Sequence, residues 1–217
     1  MRLNKLLASR LKISRRKADA IITSGRVTID GIPAKQGLEI DNEDLVTVDG
    51  KNLPQKLENT YLLLNKPAGY ICSRTGQGGS IIYELLPKRY WHLNPVGRLD
   101  KDSSGLLLMT NDGDLHNKLT HPSFKKEKVY LAALDKVLDN SDKKMIETGG
   151  VTLADGISKF EIKNSNGQLE IRMHEGRNRQ IRRTFEALGY KVTALNRTQF
   201  GNYNLGDLGI GNYKIID

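Results

Sequence analysis

The first 50 residues show two different periods of apolar and polar positions. Leucines recur across residues 3–11 at the spacing of an amphipathic helix, and a second helical pattern runs from the N-cap candidate Ser14 to Gly25. Segments 26–31 and 45–50 then alternate apolar and polar residues, and each ends in Asp-Gly, the pair typical of a two-residue hairpin turn. The pattern predicts two helices followed by short strands.

Beyond residue 60 the pattern favours strands over helices. The preceding segment 51–59 is polar, contains one proline and has no periodicity, so we expect a short linker there. Residues 164–167, Asn-Ser-Asn-Gly, predict a hairpin turn. Strand-rich order with few helices indicates an α+β fold with a mixed, largely antiparallel sheet. A buried strand is predicted from Tyr61, further strands at 105–110, 128–134, 159–163, 169–173 and 191–195, and helices at 114–119, 141–147 and 178–188.

Length and composition restrict the class of protein. A chain of 217 residues with 38% hydrophobic residues can fill one sizeable core, or one domain with a small appendage. No apolar run approaches the roughly 20 residues of a membrane span, and the N-terminus lacks a signal-peptide pattern, so we expect a cytoplasmic protein without membrane contact. The single cysteine excludes an internal disulfide, and four histidines without further thiols give no zinc spacing. We expect no metal.

Positive charge is concentrated near the N-terminus. The net charge is +9, and nine arginines and lysines face only two aspartates in the first 35 residues. Such a surface favours a polyanionic partner. On composition alone, a solvated helix face with no partner explains the same charges.

The motif "SRRKADAIITSGRVTIDG", after a first helix and before short strands, resembles the alpha-L RNA-binding module of a small-subunit ribosomal protein and of many RNA-modifying enzymes. The resemblance covers residues 1 to about 50. It implies that the basic helices bind RNA. The candidate contacts are Arg2, Lys5, Arg15 and Arg16.

Asp100 lies between an arginine-containing turn and a long apolar run. Taken alone, an aspartate in "RLDKDSSG" is most often a turn residue that accepts hydrogen bonds from local backbone. However, "GRLDKDSSGLLLMTNDG" closely resembles the signature of pseudouridine synthases, in particular the bacterial ribosomal-RNA family typified by RsuA. In that family the aspartate after Gly-Arg-Leu is the catalytic nucleophile. The resemblance extends from "LLNKPAGY" to "GIGNYKIID", and it implies an alpha-L domain with linker over 1–56 and a catalytic domain over 57–217.

An arginine should lie close to this carboxylate. Burial alone would raise the pKa of Asp100, so a neighbouring cation is needed to keep it ionised. On a helix over 178–188, Arg182 falls at the edge of the apolar face and Arg183 points away from it. Helix geometry therefore favours Arg182 as the semi-buried partner of Asp100, and the resemblance implies the same residue.

The resemblance implies further site residues. Tyr130 corresponds to the family's active-site tyrosine, which stacks on uracil, and Leu195 to an apolar residue beneath the target base. Without the resemblance, both would be assigned to strand packing. Arg98 is a candidate for the step that flips the nucleotide out of its stack. The remaining arginines of this region are interpreted as phosphate contacts: Arg172, Arg177, Arg179 and Arg183.

The predicted function is the isomerisation of uridine to pseudouridine in ribosomal RNA, without a cofactor. Asp100 attacks the ribose carbon, adds to the ring, or takes a ribose proton, and the sequence leaves these three routes open. The expected partner is ribosomal RNA or a pre-ribosomal particle, and the expected state is a monomer. The segment "EGRNRQIRRTFEALGY" resembles the large-subunit members of the family, which favours large-subunit over small-subunit RNA as the target.

Three alternatives stay open. A small-subunit rRNA synthase shares the same motifs. A noncatalytic RNA-binding ribosome-assembly factor would explain the charge and the first module, but not the joint match of Asp100, Tyr130 and Arg182. A glycoside hydrolase needs paired carboxylates, and Asp102 lies near Asp100, but no second acid falls in a matching motif.

Overall fold

The computed structural model describes residues 1–41, 43–56, 58–165 and 167–216, without the side chains of Gln77 and Pro122. The predicted linker includes Leu57 and the predicted hairpin turn includes Asn166, and both of these residues lie outside the described ranges. Contacts divide the chain into two compact units, Met1–Asn59 and Thr60–Asp217.

The first unit packs two helices on a small antiparallel sheet. Ser14 caps the second helix, since its Oγ accepts a hydrogen bond from the Lys17 backbone N–H at 3.1 Å. Both helices direct their apolar residues into one core, as the leucine spacing predicts. The elements are α1 Leu3–Leu11, α2 Arg15–Thr23, β1 Val27–Ile29, β2 Ile32–Pro33, β3 Val46–Val48 and β4 Lys51–Asn52, with sheet order β2-β1-β3-β4.

The two Asp-Gly pairs form the predicted hairpin turns. The φ angles are 51° at Asp30 and 81° at Gly31, and 52° at Asp49 and 71° at Gly50. Positive φ at both central residues is the geometry of a type I′ turn, which Asp-Gly adopts at low cost. The second turn leads into β4, so the first two residues of the predicted linker are a strand.

The second unit is built on a nine-stranded mixed sheet, which confirms the predicted α+β class. Neighbouring strands are antiparallel except where β7 meets β13. The strands are β5 Tyr61–Lys66, β6 Asn94–Pro95, β7 Ser104–Thr110, β8 Lys128–Leu134, β9 Val151–Leu153, β10 Gly156–Ser158, β11 Glu161–Ser165, β12 Gln168–Met173, β13 Val192–Phe200, β14 Tyr203–Asn204 and β15 Tyr213–Ile216. The main order is β11-β12-β8-β13-β7-β5-β15, with β14 on β13 and β6 on β7, and β9 and β10 form a separate hairpin.

Helices cover both faces of this sheet. The α-helices are α3 Gly113–Thr120, α4 Asn140–Thr148 and α5 Gln180–Ala187, and 3-10 turns occupy Gly76–Gly78, Ile82–Leu85, Lys88–Tyr90 and Pro122–Phe124. Leu62 and Leu64 face a core that includes Phe185 of α5, whereas Leu63 faces a second core that includes Leu119 of α3. Burial on both faces explains the unbroken apolar runs of β5 and β7, and each buried leucine contributes roughly 2 kcal/mol.

Several boundaries differ from the sequence prediction. Strand β11 begins two residues later than expected, and β13 continues five residues beyond its predicted end at Leu195. The predicted helix at 178–188 starts only at Gln180, because Arg179 is its N-cap with a left-handed backbone, φ 48°. The short strand β15 was missed because its four residues lie between glycines and a charged terminus.

Gly105 permits the single parallel junction of the sheet. Its φ is 104°, and a Cβ at this position would lie 2.3 Å from the Arg197 carbonyl oxygen and 2.6 Å from its backbone nitrogen. Real Cβ atoms do not approach backbone this closely, so β7 can meet β13 here only through glycine.

No helix in the described ranges has the length and apolarity needed to cross a bilayer.

Candidate active site

Asp100 lies in the loop between β6 and β7, half-buried at the wall of a cleft of about 930 Å³. The cleft belongs entirely to the second unit. Among the residues that line it, arginine and lysine outnumber aspartate and glutamate by ten to five. The cavity therefore suits an anionic ligand large enough to fill it.

Lys66, at the end of β5, fixes the backbone of the Asp100 loop. Its side chain is fully buried, and its ammonium group donates hydrogen bonds to the carbonyls of Ser103 at 2.6 Å, Pro67 at 3.0 Å and Asp100 at 3.1 Å. Burial lowers the pKa of Lys66, while the nearby Cys72 and Asp100 favour its charged form. Sequence analysis missed this residue, although a lysine that ends a buried strand in "LLNKPAGY" is an unusual signal.

The Asp100 carboxylate itself is not tied down. Within the described ranges it makes no hydrogen bond or ion pair, whereas its backbone carbonyl accepts bonds from Lys66 and from the Ser103 N–H at 3.1 Å. Its charge reaches both Lys66 and Arg179, where it acts to raise the pKa of each group. The loop is thus fixed through its backbone and leaves the carboxylate available to a ligand.

Arg182 is semi-buried, as the helix geometry predicts, but its contacts differ from the expectation. Only 10% of its side chain is exposed, and its Nε lies 3.3 Å from the Asp102 carboxylate rather than against Asp100. Its Nη1 donates to the Val192 carbonyl at 2.8 Å and its Nη2 to the Asp102 carbonyl at 2.9 Å. Arg182 therefore joins α5 and β13 to the Asp100 loop, and Asp102 takes the place that we expected Asp100 to occupy.

Asp102 is a second carboxylate shared between two arginines. Its oxygens accept hydrogen bonds from Arg179 at 2.9 and 3.1 Å, in a fork-to-fork pair. Partial burial acts to raise the pKa of Asp102, but the Arg179 hydrogen bonds and the charge of Arg182 outweigh it and hold the pKa below its usual value. Asp102 stays ionised and is occupied by protein groups, so it is not a free partner acid for Asp100.

Tyr130 and Leu195 lie on one face of two adjacent strands. Tyr130 of β8 pairs across the ladder with Arg197, and Leu195 of β13 pairs with Ala132. Residues opposite each other, and residues two apart, point to the same face. Both side chains are more than 90% buried and line the cleft. The structure thus brings Asp100, Tyr130, Arg182 and Leu195 to one cavity.

Two further cations lie in this cavity and were missed from the sequence. Arg197 is 2% exposed, and the alternation from Leu195 would have found it had the strand been predicted to its full length. Lys128 donates long hydrogen bonds of 3.4 Å to the carbonyls of Lys126 and His174. Burial, and then the charge of Arg197, lowers the pKa of Lys128 to about 8.

The predicted RNA-binding arginines fall into two groups. Arg177 and Arg183 both bind the Asp155 carboxylate at 3.0 and 2.8 Å, so their charge is largely neutralised within the protein. Arg179 is paired with Asp102. By contrast, Arg98 is exposed at the cleft and makes no hydrogen bond or ion pair in the described part of the chain. Arg2, Arg15 and Arg16 are exposed and Lys5 half-buried in the first unit.

No metal-binding cluster was found. Within the ranges that the structure describes, no group of three or more histidine, cysteine, aspartate or glutamate side chains is placed to hold a metal ion.

Comparison with known proteins identifies the family. The sequence model described as RNA pseudouridylate synthase matches residues 60–187, and the S4 domain model matches residues 1–46. The chain belongs to the RNA pseudouridylate synthase family. The resemblance inferred from "GRLDKDSSGLLLMTNDG" and from the N-terminal module is thereby confirmed, as is the enzyme class.

Members of the family with similar sequences cover the whole chain. An "Uncharacterized RNA pseudouridine synthase" of Aquifex aeolicus is 38% identical over 100% of this chain and 90% of its own. The "Ribosomal large subunit pseudouridine synthase B" of Bacillus subtilis is 34% identical over 98% of this chain and 91% of its own. The "Ribosomal small subunit pseudouridine synthase A" of Escherichia coli is also 34% identical, over 99% and 95%.

A solved structure has the same fold as this protein. It is titled "Crystal structure of pseudouridylate synthase", covers 100% of this chain and 96% of its own, and superposes with a TM-score of 0.70 at 29% identity. An S4 domain followed by a pseudouridine synthase domain is therefore the architecture of the whole chain.

Proposed function

We propose that this pseudouridine synthase isomerises a uridine of large-subunit ribosomal RNA, with Asp100 as the nucleophile. One observation carries the assignment of Asp100. Lys66 fixes the backbone of its loop, while its carboxylate has no partner in the described ranges and lines a basic cleft. A preorganised carboxylate without a protein partner is what an attacking group requires.

The cleft gives each neighbouring group a role in the proposal. Tyr130 stacks on the uracil and Leu195 packs beneath it, since both side chains line the cavity from the same face of the sheet. Arg182 and Asp102 hold the Asp100 loop against α5. The target nucleotide must leave its stack to reach them, at a cost of a few kcal/mol, and Arg98 at the cleft contacts its phosphate.

All three routes for Asp100 are compatible with this proposal. The carboxylate forms an ester with the ribose carbon, adds to the uracil ring, or removes a ribose proton. In each case the bond from ribose to N1 breaks, the base turns, and C5 bonds to the same ribose carbon with loss of its hydrogen. No step requires a metal or an organic cofactor.

The choice of large-subunit RNA rests on the start of α5, because the named relatives do not decide it. Both large-subunit and small-subunit enzymes resemble the chain at 34–36% identity. Arg179 and Gln180 belong to the segment that resembles the large-subunit members. They lie at the N-terminal end of α5 and line the cleft. In this proposal Arg179, whose side chain is 45% exposed, contacts nucleotides beside the flipped uridine, whereas Gln180 is buried and supports the start of the helix through hydrogen bonds within the protein. We further propose that the enzyme acts as a cytoplasmic monomer on rRNA or a pre-ribosomal particle.

Release of tritium from rRNA labelled at uracil C5 tests the catalytic role. The Asp100→Asn variant should release none while binding RNA as the wild type does, because the substitution preserves size and removes the attacking charge. Asp207→Asn, which alters an exposed carboxylate outside the cleft, should keep full activity. Turnover by Asp100→Asn would exclude Asp100 as the nucleophile.

The RNA target needs a separate measurement. Carbodiimide labelling and primer extension on rRNA from cells with and without the gene should show one lost stop, or a few adjacent ones, in large-subunit RNA. A loss confined to small-subunit RNA would reverse the target and leave the enzyme class unchanged.

A further inference from the structure

Arg197 is a buried cation without a carboxylate partner in the described ranges. Its side chain is 2% exposed, and its Nε donates to the Leu106 carbonyl at 2.9 Å. Its guanidinium carbon lies 4.9 Å from the centre of the Phe200 ring. Nη2 is buried and has no hydrogen-bond partner in the described residues. An unpaired buried donor destabilises the fold, more so when the group is charged, so a ligand atom that accepts a hydrogen bond from Nη2 would bind favourably.

The position of Arg197 indicates where that partner comes from. Arg197 lies directly opposite Tyr130 in the β8–β13 ladder and two residues after Leu195, so the three side chains share one face of the sheet. All three line the cleft. The unpaired guanidinium therefore belongs to the floor on which the uracil is proposed to lie.

We propose that Arg197 is a catalytic residue that stabilises the negative charge of the uracil ring, as a donor to one of its carbonyl oxygens. The inference rests on the proposed function of the cleft. It assigns to Arg197 a task that neither Asp100 nor Tyr130 performs.

The chemistry requires such a group on every route. When the bond from ribose to N1 breaks, its electron pair stays with the base, and the charge spreads over N1, O2 and O4. The ribose carbon C1′ is then bonded to the Asp100 carboxylate, or it forms a double bond to C2′, whose proton Asp100 has taken. If Asp100 instead adds to the ring at C6, the charge goes to C5 and O4, so one of the same carbonyl oxygens receives it. A fixed, water-excluded cation beside these oxygens lowers the barrier in each case.

A phosphate of the RNA backbone is the competing ligand, and burial argues against it. A flipped nucleotide enters base first, so its phosphates stay near the rim, where Arg98 is exposed. Arg197 is 98% buried, so a backbone phosphate would have to leave the rim and lose its hydration to contact it.

Single-turnover rates at saturating RNA test the assignment. Wild type, Arg197→Met and the exposed-site control Lys163→Met are compared on RNAs that carry uridine or 5-fluorouridine at the target, and the disappearance of the parent nucleoside is followed by chromatography of nuclease digests. Arg197→Met should lose about 10²-fold in rate on uridine, as for removal of one oxyanion donor, with RNA affinity nearly unchanged. The loss should be clearly smaller on 5-fluorouridine, because fluorine already stabilises the ring anion. Added guanidinium ion should restore part of the rate.

Other outcomes would overturn the inference. Equal losses on both RNAs would show that Arg197 does not act on the ring charge. Weaker RNA binding with an unchanged saturated rate would show a phosphate contact. If thermal melting shows Arg197→Met to be unfolded, Arg197→Lys replaces it and should show the same substrate dependence. Wild-type failure on uridine RNA would instead contradict the proposed function, so the two failures are distinguishable.

Discussion

At the scale of single residues, the cleft collects positive charge that the protein does not fully neutralise. Arg197 is buried at the cleft with a carbonyl partner and no ion pair in the described ranges, and Lys128 is partly buried there. Lys66, which holds the Asp100 loop, is also buried with carbonyl partners and no ion pair in the described ranges. Buried charge without a counterion destabilises the unliganded fold.

The loss of folding stability caused by a buried charge can be measured at Lys128. Its folded pKa of about 8 lies below the ordinary 10.5, so the folded state binds fewer protons between these values and stability rises with pH across that interval. The penalty is complete below pH 8 and is lost as pH approaches 10.5. Lys128→Met should therefore be more stable than wild type at pH 7, by about 1 kcal/mol once solvent screening of the partly exposed amine is allowed for.

Urea unfolding at pH 7 and pH 10 provides the measurement. The advantage of Lys128→Met should shrink at the higher pH, whereas Lys163→Met, on the exposed face of β11, should show no such trend. A pH-independent difference would mean that packing, and not charge, separates the two proteins.

The sequence predicted several residues that line the cleft but not how they contact one another. Asp100, Tyr130 and Leu195 line one cleft as the motifs implied. The helical period placed Arg182 correctly at a semi-buried position, yet it could not show that Asp102 rather than Asp100 receives the guanidinium. That choice depends on how the loop turns after Lys66 binds its carbonyls, which is a tertiary property.

At the scale of elements, the strongly periodic helices were predicted well and the sheet ends poorly. Strand β13 continues to Phe200 through Asn196, Arg197 and Thr198, residues whose polarity by itself indicates a loop. Asn196 and Arg197 are a strand because β7 and β8 flank them, and Thr198 follows at a register shift of the β8 ladder. Buried polar strand residues of this kind depend on tertiary pairing, which local patterns do not contain.

Gly105 tests the junction of β7 and β13. Gly105→Ala should destabilise the fold by about 3 kcal/mol or more, because its φ of 104° is unfavourable for alanine and the new Cβ would collide with Arg197 backbone. Gly113→Ala is the matched control, since nothing lies within 4 Å of its added Cβ and its φ is not positive. The melting temperature of Gly105→Ala should be much lower than that of Gly113→Ala. Similar melting temperatures would show that the strands move apart without cost.

At the scale of the whole molecule, the chain consists of two units with separate cores. The S4 domain core involves Leu3, Leu7, Ala18 and Ile22, and the synthase cores contain no described residue before Leu62. The polar, proline-containing segment 51–59 led us to expect a boundary after residue 56, and the two units divide after Asn59. The sequence did not predict β4, because Lys51 and Asn52 form a strand only by pairing with β3 across the Asp49-Gly50 turn.

Removal of residues 1–59 should leave a folded synthase domain that binds RNA more weakly. Each phosphate that the S4 domain neutralises should contribute roughly 0.7–0.9 to the log–log slope of affinity against salt, so the truncated protein should show a shallower slope. Circular dichroism checks the fold, and affinity measured over a range of salt concentrations checks the slope. An unchanged slope would show that the S4 domain does not bind phosphate in this protein.

The central place of β13 has a consequence for synthesis on the ribosome. This strand lies between β7 and β8, yet it begins 58 residues after the end of β8 along the chain. During translation, a nascent chain that ends before Val192 carries Asp100, Tyr130 and Arg182 but lacks the strand that joins their two half-sheets. Because β8, β13 and the Asp100 loop all line the cleft, we expect the nascent enzyme to acquire it only after β13 has left the exit tunnel.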